Sequence, residues 1–375
     1  MRPIQMVDLT TQYERIQTPM DKAVLEVIHS GKYINGDAVQ AFTNELSEYI
    51  NVKYVIPCAN GTDALQLAMM ALDLQPGDEV IVPAFTYVAT AEAAALLKLT
   101  PVLVDVDPRT FNINVDKIEE AITPQTKAIV PVHLFGQTAD MEPLMQIARK
   151  HGLYVIEDNA QSIGSVYTFS DGTKKQAGTI GDIGTLSFFP TKNLGGYGDG
   201  GALLTNNEAL ARKLKMIAAH GQSQKYTHEM IGCNSRLDTL QAAILRTKLP
   251  QLPSYMEARQ KTAEKYDAGL KSLPDLLEIP YCLPYSTHVY HQYTLKVKPE
   301  QRAGLQSYLK EKGIPAMIYY PLPLHHQPAF KNIVRIGNDL SETENLCKSV
   351  LSLPMHTELD DEQTQFIISQ IRNYE

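Results

Sequence analysis

Short apolar runs rich in β-branched residues alternate with amphipathic segments between about residues 55 and 220. In the amphipathic segments the apolar residues lie three or four positions apart, as in a helix that packs one face on a core. Alternation of buried strands with helices is typical of a mostly parallel sheet covered on both faces. We predict strands at Glu79–Val82, Val102–Val106, Ala128–Val132, Leu153–Ile156, Gly184–Phe189 and Ala202–Thr205. We predict helices at Ala64–Ala71, Ala91–Leu99, Val115–Ala121, Met141–His151 and Glu208–Ala219.

The pattern changes after a long helical stretch from about Arg236 to Leu270, which two prolines interrupt near residue 250. We expect a large domain over residues 1–250 and a small C-terminal domain over residues 251–375, with the N-terminal segment packed on the small domain. In the small domain we predict strands at Tyr293–Val297 and Ile314–Tyr320 and helices at Leu305–Lys312 and Glu362–Ile371.

The composition is that of an ordinary globular protein, since 44% of the 375 residues are hydrophobic, enough for a sizeable core. The net charge of −8 argues against nucleic acid or an anionic membrane as a partner, because both require clustered positive charge. No run reaches the roughly 18 uncharged apolar residues of a membrane-spanning helix. We therefore expect a soluble, cytoplasmic protein. The scattered cysteines are expected to be reduced and structural; they are Cys58, Cys233, Cys282 and Cys347.

Lys192 occupies an unusual place for a lysine. It follows the apolar run Leu186–Phe189 and a proline, and it precedes a glycine-rich turn that begins at Gly195. A lysine at a strand end among aromatic residues is partly desolvated, which favours the neutral amine that attacks carbonyl groups. The run indicates a Schiff-base lysine, although taken alone it also fits a lysine that merely lies over the loop.

Two further segments lie where ligands bind in a doubly wound sheet, at the carboxyl ends of the strands. Asp158 follows the predicted strand Leu153–Ile156 and places a carboxylate there, although an isolated aspartate at such a point can also be a helix cap. Near Gly61 and Thr62 the chain turns into a helix, which offers backbone N–H groups, a hydroxyl and a positive dipole end to a phosphate. Simple capping of that helix is the alternative.

Pyridoxal 5'-phosphate requires the groups that these segments supply together. The amine of Lys192 can form the Schiff base, and the carboxylate of Asp158 can keep the pyridine nitrogen protonated, so that the ring accepts electrons. The helix start at Gly61 can hold the phosphate, and Tyr87 offers a face on which the ring can stack. The residues therefore predict pyridoxal 5'-phosphate as the cofactor.

Six runs spread over the chain form a recognisable set. They are Asn60–Leu65, Glu157–Gln161, Ser187–Lys192, Gly198–Gly201, Asn234–Asp238 and Pro321–His325. Together they resemble the DegT/DnrJ/EryC1/StrS family of nucleotide-sugar aminotransferases over nearly the whole chain. The resemblance implies an α/β fold of PLP fold type I, similar to aspartate aminotransferase. In that fold a large domain with a mostly parallel, helix-covered sheet is followed by a smaller α/β C-terminal domain.

The resemblance also implies a role for individual residues. Lys192 would be the Schiff-base lysine and Asp158 the partner of the pyridinium nitrogen. Tyr87 would stack on the ring, and Gln161 would lie beside the ring and its phenolic oxygen. These enzymes resemble one another in building each site across a homodimer interface. The phosphate would accordingly be held by Gly61, Thr62 and Ser187 of one subunit. Asn234 of the partner subunit would join them.

Within the family, the stretches Cys58–Gln66, Phe85–Glu92 and Asn234–Gln241 resemble in particular the UDP-2-acetamido-2-deoxy-3-oxo-D-glucuronate aminotransferases. This implies transfer of an amino group from L-glutamate to C3 of a UDP-linked 3-keto-N-acetylglucosaminuronic acid, for surface polysaccharide of the lipopolysaccharide type. Arg236 is the candidate for a substrate carboxylate, because a guanidinium binds one bidentately; an ion pair with Asp238 is the alternative. Further candidate substrate contacts are His325 and the pair Tyr319 and Tyr320, where a relative has a histidine followed by a tyrosine.

Two other functions stay open on the sequence. A 4-keto-6-deoxy nucleotide-sugar aminotransferase would share every cofactor residue and differ only in its sugar pocket. A non-catalytic PLP-binding regulatory protein is the alternative from another class. The presence of Lys192, Asp158 and Gln161 together disfavours that alternative.

The histidines do not predict a metal site. Those considered are His133, His220, His325 and His326, and their separations lack the helix spacing of metal ligands. We expect most of them to pack against other residues or to face solvent, and we predict no bound metal.

Overall fold

The computed structural model describes residues 1–374, in which helices and strands alternate through the first two thirds of the chain. The α-helices are α1 (Leu9–Arg15), α2 (Gln17–Ser30), α3 (Asp37–Ile50), α4 (Gly61–Ala71), α5 (Ala89–Leu96), α6 (Met141–His151), α7 (Glu208–Ile217), α8 (Thr239–Lys248), α9 (Leu252–Leu270), α10 (Pro299–Glu311), α11 (Ser341–Ser349) and α12 (Asp361–Arg372). Within this range no helix combines the length and the apolarity that crossing a membrane requires.

The strands divide between one large sheet and several small ones. They are β1 (Tyr54–Cys58), β2 (Glu79–Pro83), β3 (Thr100–Val104), β4 (Thr126–Ile129), β5 (Tyr154–Asp158), β6 (Val166–Thr168), β7 (Lys174–Gln176), β8 (Ile183–Ser187), β9 (Gly201–Thr205), β10 (Gln222–Gln224), β11 (Thr227–His228), β12 (Leu277–Glu278), β13 (Tyr293–Val297), β14 (Arg335–Ile336) and β15 (Val350–Leu353). Each of the six strands predicted before residue 210 corresponds to a strand of the large sheet, with shifts of a few residues at the ends.

The large sheet has eight strands in the order β1-β9-β8-β5-β4-β2-β3-β14. Neighbouring strands are parallel, except that β9 runs antiparallel to both β1 and β8. The strands β1, β8, β5 and β2 therefore point in the same direction. Their carboxyl ends share one edge of the sheet, where ligands bind in α/β proteins.

Strand β2 shows why the central strands consist of continuous apolar runs. Val80 and Val82 pack in a core with residues of α4 and α5, whereas Ile81 packs in a separate core with residues of α6. Successive side chains of a strand point to opposite faces. Because helices cover both faces, every position in such a strand is buried, and no polar alternation remains in the sequence.

The C-terminal part of the chain forms a second core. The antiparallel sheet β12-β13-β15 packs there with residues of α9, α10 and α12. The first residues of the chain lie against this part: Ile4 belongs to its core, and Arg2 donates a hydrogen bond to the carbonyl of Glu358 at 2.7 Å. The amide of Met355 donates to the carbonyl of Met6 at 3.3 Å.

Two predicted elements are wrong. Instead of one helix, Val115–Ala121 forms two 3-10 turns, Val115–Lys117 and Glu119–Ala121, and the chain is extended at Ile122, shortly before Pro124. A residue near a proline is biased towards extended conformations, which stops a helix here. Ile314–Tyr320 is not a strand, since it forms only the single bridge Met317–Ser352. Pro315 supplies no N–H group for a ladder.

Arg335 fastens β14 to the large sheet. Its Nε and Nη2 donate to Oε1 and Oε2 of Glu79 at 2.7 and 2.9 Å, and Nη2 also donates to the carbonyl of Ala121 at 2.6 Å. Glu79 is largely buried and starts β2, two strands away from β14. A strand of two residues forms too few backbone hydrogen bonds to stay paired by them alone. The hydrogen bonds of Arg335 therefore hold β14 at the edge of the sheet.

Arg335→Met should lower the free energy of unfolding by about 2 kcal/mol, because hydrogen bonds to a charged, largely buried carboxylate are lost. Urea unfolding of the cofactor-free protein, followed by circular dichroism, measures the change. The matched control is Arg212→Met, which breaks an exposed pair with Glu208 one helical turn away and should change stability by less than about 0.5 kcal/mol. Equal losses in the two variants would contradict the role given to Arg335.

Candidate active site

The candidate site lies at the carboxyl edge of the large sheet. Asp158 is the last residue of β5 and Ser187 the last residue of β8, and these strands are parallel neighbours. Lys192 lies in the turn that follows β8, and Gly61 begins α4 shortly after the end of β1. The topology thus brings together three segments that lie far apart in the sequence.

The start of α4 forms a cradle for an anion. The amides of Gly61 and Thr62 form no hydrogen bond within residues 1–374, whereas the Asn60 side chain caps the amide of Asp63 at 2.8 Å. A Cβ atom added at Gly61 would lie only 2.7 Å from Cβ of Ser187. Two free N–H groups, the Ser187 hydroxyl and the positive end of the helix dipole therefore face the same small space.

Asp158 is held as an oriented carboxylate. It is 5% exposed, its Oδ2 accepts a hydrogen bond from the Thr90 hydroxyl at 2.8 Å, and its Oδ1 accepts one from the Ala160 amide at 3.2 Å. The two hydrogen bonds fix the orientation of the carboxylate. A buried carboxylate with this support is suited to pair with a protonated ring nitrogen.

Glu157, next to Asp158, is completely buried and anchors the end of β5. Nε2 of His133 lies 2.8 Å from its carboxylate, and Nδ1 of His133 accepts from the Ala139 amide at 3.1 Å. This network assigns the proton of the ring to Nε2, which donates to Glu157. Three backbone amides donate to the same carboxylate at 2.6–2.8 Å: those of Gly178, Ile180 and Gly181.

Lys192 is desolvated as its place in the sequence predicts. Burial lowers the pKa of its ammonium to about 8, and the charge of Asp158 opposes that decrease. Its amide donates to the carbonyl of Phe189 at 2.8 Å, which closes the turn after the strand. In the described part of the chain, no side chain forms a hydrogen bond with its ammonium. The ammonium therefore loses its proton far more readily than that of an ordinary lysine, and a substantial minority of the amine is neutral and reactive near physiological pH.

Gln161, Tyr320 and Tyr87 form one wall of the site. Oε1 of Gln161 accepts from the Phe135 amide at 2.8 Å, and its Nε2 donates to the Tyr320 hydroxyl at 3.2 Å. Burial raises the pKa of Tyr320, which keeps its hydroxyl protonated. The ring of Tyr87 is 57% exposed, and its centroid lies 6.3 Å from that of Tyr320. Tyr319 is half-buried beside Tyr320.

Asn234 and Arg236 lie on the surface of the subunit. Both are exposed, and neither side chain forms a hydrogen bond or an ion pair with any residue from 1 to 374, so the alternative pairing of Arg236 with Asp238 is absent there. Ser235, between them, is buried: its hydroxyl donates to Asp63 at 2.6 Å and accepts from the Ala59 amide at 3.0 Å. The segment is thus fixed beside α4 while its flanking side chains point outward.

His325 belongs to a small polar cluster. Its Nε2 lies 3.2 Å from a carboxylate oxygen of Glu344, and Nε2 of His326 lies 3.7 Å from the same oxygen. This is the one group in residues 1–374 whose His, Cys, Asp or Glu ligand atoms are spaced as for a metal ion. Nδ1 of His325 is buried without a partner. A metal on Nε2 would leave that nitrogen as an unsatisfied buried donor, so we interpret the contact as a hydrogen bond from Nε2–H of His325 to Glu344.

Two further residues of the site were not predicted from the sequence. Thr90 orients Asp158 from α5, 68 positions away in the chain. His291 is 6% exposed, and burial, together with the positive charges of Lys192 and Arg259, lowers its pKa well below the usual range. The only signal for His291 was its position just before the predicted strand Tyr293–Val297. Thr90 carried no signal, because threonines are common in such helices.

The residues present fit pyridoxal 5'-phosphate. A side chain at position 61 would fill the space beside Ser187, so glycine keeps the first turn of α4 open to a phosphate. The desolvated amine of Lys192 and the oriented carboxylate of Asp158 are the two groups that the carbonyl carbon and the ring nitrogen of this cofactor require.

Residues 14–372 match the DegT/DnrJ/EryC1/StrS aminotransferase family. The resemblance inferred from six short runs is thus confirmed over nearly the whole chain. The predicted fold class is also confirmed, since aminotransferase structures match almost the entire chain.

Individual relatives add detail. A Geobacillus stearothermophilus protein named "Pleiotropic regulatory protein" is 45% identical over 372 residues, covering 99% of this chain and 98% of its own. The "UDP-2-acetamido-2-deoxy-3-oxo-D-glucuronate aminotransferase" of Pseudomonas aeruginosa is 44% identical over 370 residues, covering 99% of this chain and all of its own. The crystal structure of NtdA from Bacillus subtilis, with the bound cofactor PMP, superimposes with a TM-score of 0.88 at 35% identity, covering 98% of this chain and 82% of NtdA. Other matching relatives are transaminases of dTDP-linked sugars.

Gly61→Ala should weaken binding of pyridoxal 5'-phosphate by at least about tenfold, because the new methyl group would lie 2.7 Å from Cβ of Ser187 and must displace Ser187 or the start of α4. Titration of the cofactor-free protein, followed by visible absorbance, measures the affinity. The control is Gly172→Ala, where an added Cβ meets nothing within 4 Å and only a φ of +85° is strained. The control should lose a little stability and no affinity. Unchanged affinity in Gly61→Ala would exclude the cradle.

The reactivity of Lys192 should depend on pH as a pKa of about 8 requires. Below that pH the ammonium form dominates, so the rate of reaction of the cofactor-free protein with pyridoxal should rise about tenfold between pH 7 and pH 9 and then level off. Rates are referenced to butylamine, which corrects for ionisation of the aldehyde. Asp158→Asn should move the midpoint lower, because the opposing charge is removed. A rate that keeps rising steeply beyond pH 9 would contradict a desolvated lysine.

Proposed function

Because this chain belongs to the DegT/DnrJ/EryC1/StrS aminotransferase family, we propose that it aminates C3 of a UDP-linked 3-keto-N-acetylglucosaminuronic acid. L-Glutamate is the proposed donor, and the amino sugar serves cytoplasmic synthesis of surface polysaccharide precursors. At the coarser level the chain is a pyridoxal-phosphate-dependent nucleotide-sugar aminotransferase. The observation that carries the finer proposal is the full-length similarity to an aminotransferase of that uronate, combined with the unpaired Arg236.

The cofactor and the protein divide the chemistry. When bound, pyridoxal 5'-phosphate supplies an electrophilic carbon for the amine and an electron-accepting ring. Asp158 would keep the ring nitrogen protonated, while Gly61, Thr62 and Ser187 would hold the phosphate. Tyr87 would offer its ring as a stacking face.

Lys192 acts as the base and the acid of the reaction. Its Nζ takes the proton from the α-carbon of glutamate and later returns a proton, and a pKa of about 8 suits both steps near neutral pH. Glutamate leaves as 2-oxoglutarate. In the second half-reaction the C3 ketone of the sugar gains the amino group with the reverse proton transfers. The balance is one amino group exchanged for one carbonyl oxygen, so no external oxidant or reductant is needed.

The proposed substrate contacts are Arg236, Tyr319, Tyr320 and His325. Arg236 is free of ion pairs in the described residues, so its guanidinium can bind the carboxylate of the uronate or of glutamate. Tyr320 presents its hydroxyl group beside Gln161, and the ring of Tyr319 lies against that of Tyr320. His325 is the weakest member of this set, because its Nε2 already interacts with Glu344.

We infer a homodimer with shared sites. Asn234 is exposed and unpaired, although Ser235 beside it is fixed to the start of α4. Such a side chain can hydrogen bond to a phosphate held by the other subunit of a dimer. In this arrangement Asn234 of the partner subunit completes the phosphate site, and a monomer is inactive.

A 4-keto-6-deoxy nucleotide sugar is the second candidate substrate, supported by a matching GDP-perosamine synthase of Caulobacter vibrioides, because perosamine carries its amino group at C4. That substrate has no carboxylate, so it leaves Arg236 without a sugar partner. A purely regulatory protein is the candidate from another class, suggested by the name of the Geobacillus relative. The lowered pKa of Lys192 and the hydrogen-bonded carboxylate of Asp158 disfavour it, because binding alone does not require a reactive amine.

The test uses the reverse reaction, because the amino sugar is the stable partner. UDP-2-acetamido-3-amino-2,3-dideoxy-D-glucuronate is mixed with the cofactor-loaded protein, and visible absorbance is followed. We expect loss of the absorbance band, its recovery with 2-oxoglutarate and no change in Lys192→Ala. Arg236→Gln should raise the apparent KM for the uronate at least about tenfold, as expected for loss of a charged contact. Arg212→Gln, an exposed arginine elsewhere, should leave it unchanged.

The other outcomes separate the candidates. A band that responds to glutamate and to dTDP-4-amino-4,6-dideoxyglucose, but not to the uronate, would keep the aminotransferase and replace the sugar. A band that responds to none of these amines would favour the regulatory protein. Unchanged KM values for both the uronate and glutamate in Arg236→Gln would remove Arg236 from the site.

A further inference from the structure

Lys248, the last residue of α8, is a buried lysine without an acidic partner in residues 1–374. Its side chain is 1% exposed, and its Nζ donates a hydrogen bond to the carbonyl of Gly195 at 2.9 Å. The same ammonium lies 4.5 Å from the centroid of the Tyr197 ring. Burial lowers its pKa to about 8. Burying an ammonium without a carboxylate is costly, so its two partners, a carbonyl and an aromatic face, are the contacts that keep it there.

Gln241 supports the same segment from the same helix. It lies seven residues before Lys248, which is two helical turns and therefore the same face of α8. Its Oε1 accepts a hydrogen bond from the amide of Tyr197 at 2.8 Å. A Cβ atom added at Gly196 or Gly198 would lie 2.7 or 2.8 Å from the amide group of Gln241. The turn is glycine-rich because α8 packs directly on its backbone.

This turn is continuous with the segment that carries Lys192. The amide of Gly196 donates to the carbonyl of Phe188 at 2.8 Å, and the amide of Lys192 donates to that of Phe189 at 2.8 Å. A Cβ atom added at Gly195 would lie 2.2 Å from the carbonyl of Pro190. Residues 188–196 therefore form one closed loop, with Lys192 on one side and α8 against the other. The backbone of Gly195 is thus joined through this loop to the residues that carry Lys192.

We propose that Lys248, together with Gln241, is a positioning residue that holds the Gly195–Gly198 turn and thereby fixes the reactive amine of Lys192. The proposal rests on the proposed function in one respect, namely that Lys192 carries the cofactor. Lys248 acts through the backbone, because its ammonium contacts Gly195 and Tyr197 and forms no hydrogen bond with Lys192. It is therefore not a catalytic residue.

Lys248→Met tests the proposal, because it keeps the length of the side chain and removes its hydrogen bond and charge. The matched control is Lys213→Met on α7, which breaks an ion pair with Asp73 just after α4. If Lys248→Met fails to fold, Gln241→Met removes only the acceptor of the Tyr197 amide and serves in its place. Thermal unfolding of each variant records loss of stability separately.

Two readouts distinguish positioning from stability. In the cofactor-free protein, hydrogen exchange of the Gly196 and Tyr197 amides should accelerate at least about tenfold in Lys248→Met, more than exchange in the core strands. In the loaded protein, the pH midpoint of the visible band should shift, and the single-turnover rate with glutamate should fall about tenfold or more at unchanged glutamate affinity. Lys213→Met should change neither readout.

Unchanged exchange, midpoint and rate in a folded Lys248→Met protein would overturn the proposal, whatever its melting temperature. An accelerated exchange with an unchanged midpoint and rate would also overturn it, because the turn would then move without affecting Lys192. Failure of the proposed function looks different. In that case the loaded wild-type protein itself shows no pH-dependent band and no response to glutamate, while the exchange effect persists.

Discussion

The buried carboxylate of Glu157 is the interaction that fixes the edge of the sheet on which the site is built. An ionised carboxylate taken out of water costs several kcal/mol unless its lone pairs are satisfied. Here His133 and three backbone amides donate to it. These donors come from the loop after β4 and the loop before β8, so one side chain joins three segments. Asp158, the next residue, is placed by that junction.

The chemistry depends on two ionisable side chains at this edge, Asp158 and Lys192, whose surroundings differ. Hydrogen bonds from Thr90 and Ala160 hold the carboxylate of Asp158 in place, whereas Lys192 is desolvated without a hydrogen-bonded partner and its pKa decreases to about 8. A reactive amine beside a stable carboxylate is what binding and activating a pyridine aldehyde requires. The fold can hold both because helices on either side fix the strand ends and the turns that follow them.

Much of this arrangement could be predicted from the sequence, because local signals specify it. The buried strands were visible as apolar runs, and Lys192 and Asp158 stood out because each follows such a run. Residues that act across the fold were not visible: Thr90 meets Asp158 from 68 positions away, and Lys248 meets Gly195 from 53 positions away. β14 has only two residues, too few for any periodicity, and its place depends on the distant Arg335–Glu79 pair.

The central claim is that the carboxyl edge of the sheet is a pyridoxal-phosphate site in which Lys192 forms the covalent link. Borohydride reduction of the loaded protein, followed by peptide mapping with mass spectrometry, tests it most directly, since reduction makes that link permanent. The account predicts one reduced cofactor per chain, on Lys192, and no comparable label in Lys192→Ala. A label on another lysine, or a loaded protein that carries none after reduction, would contradict the account.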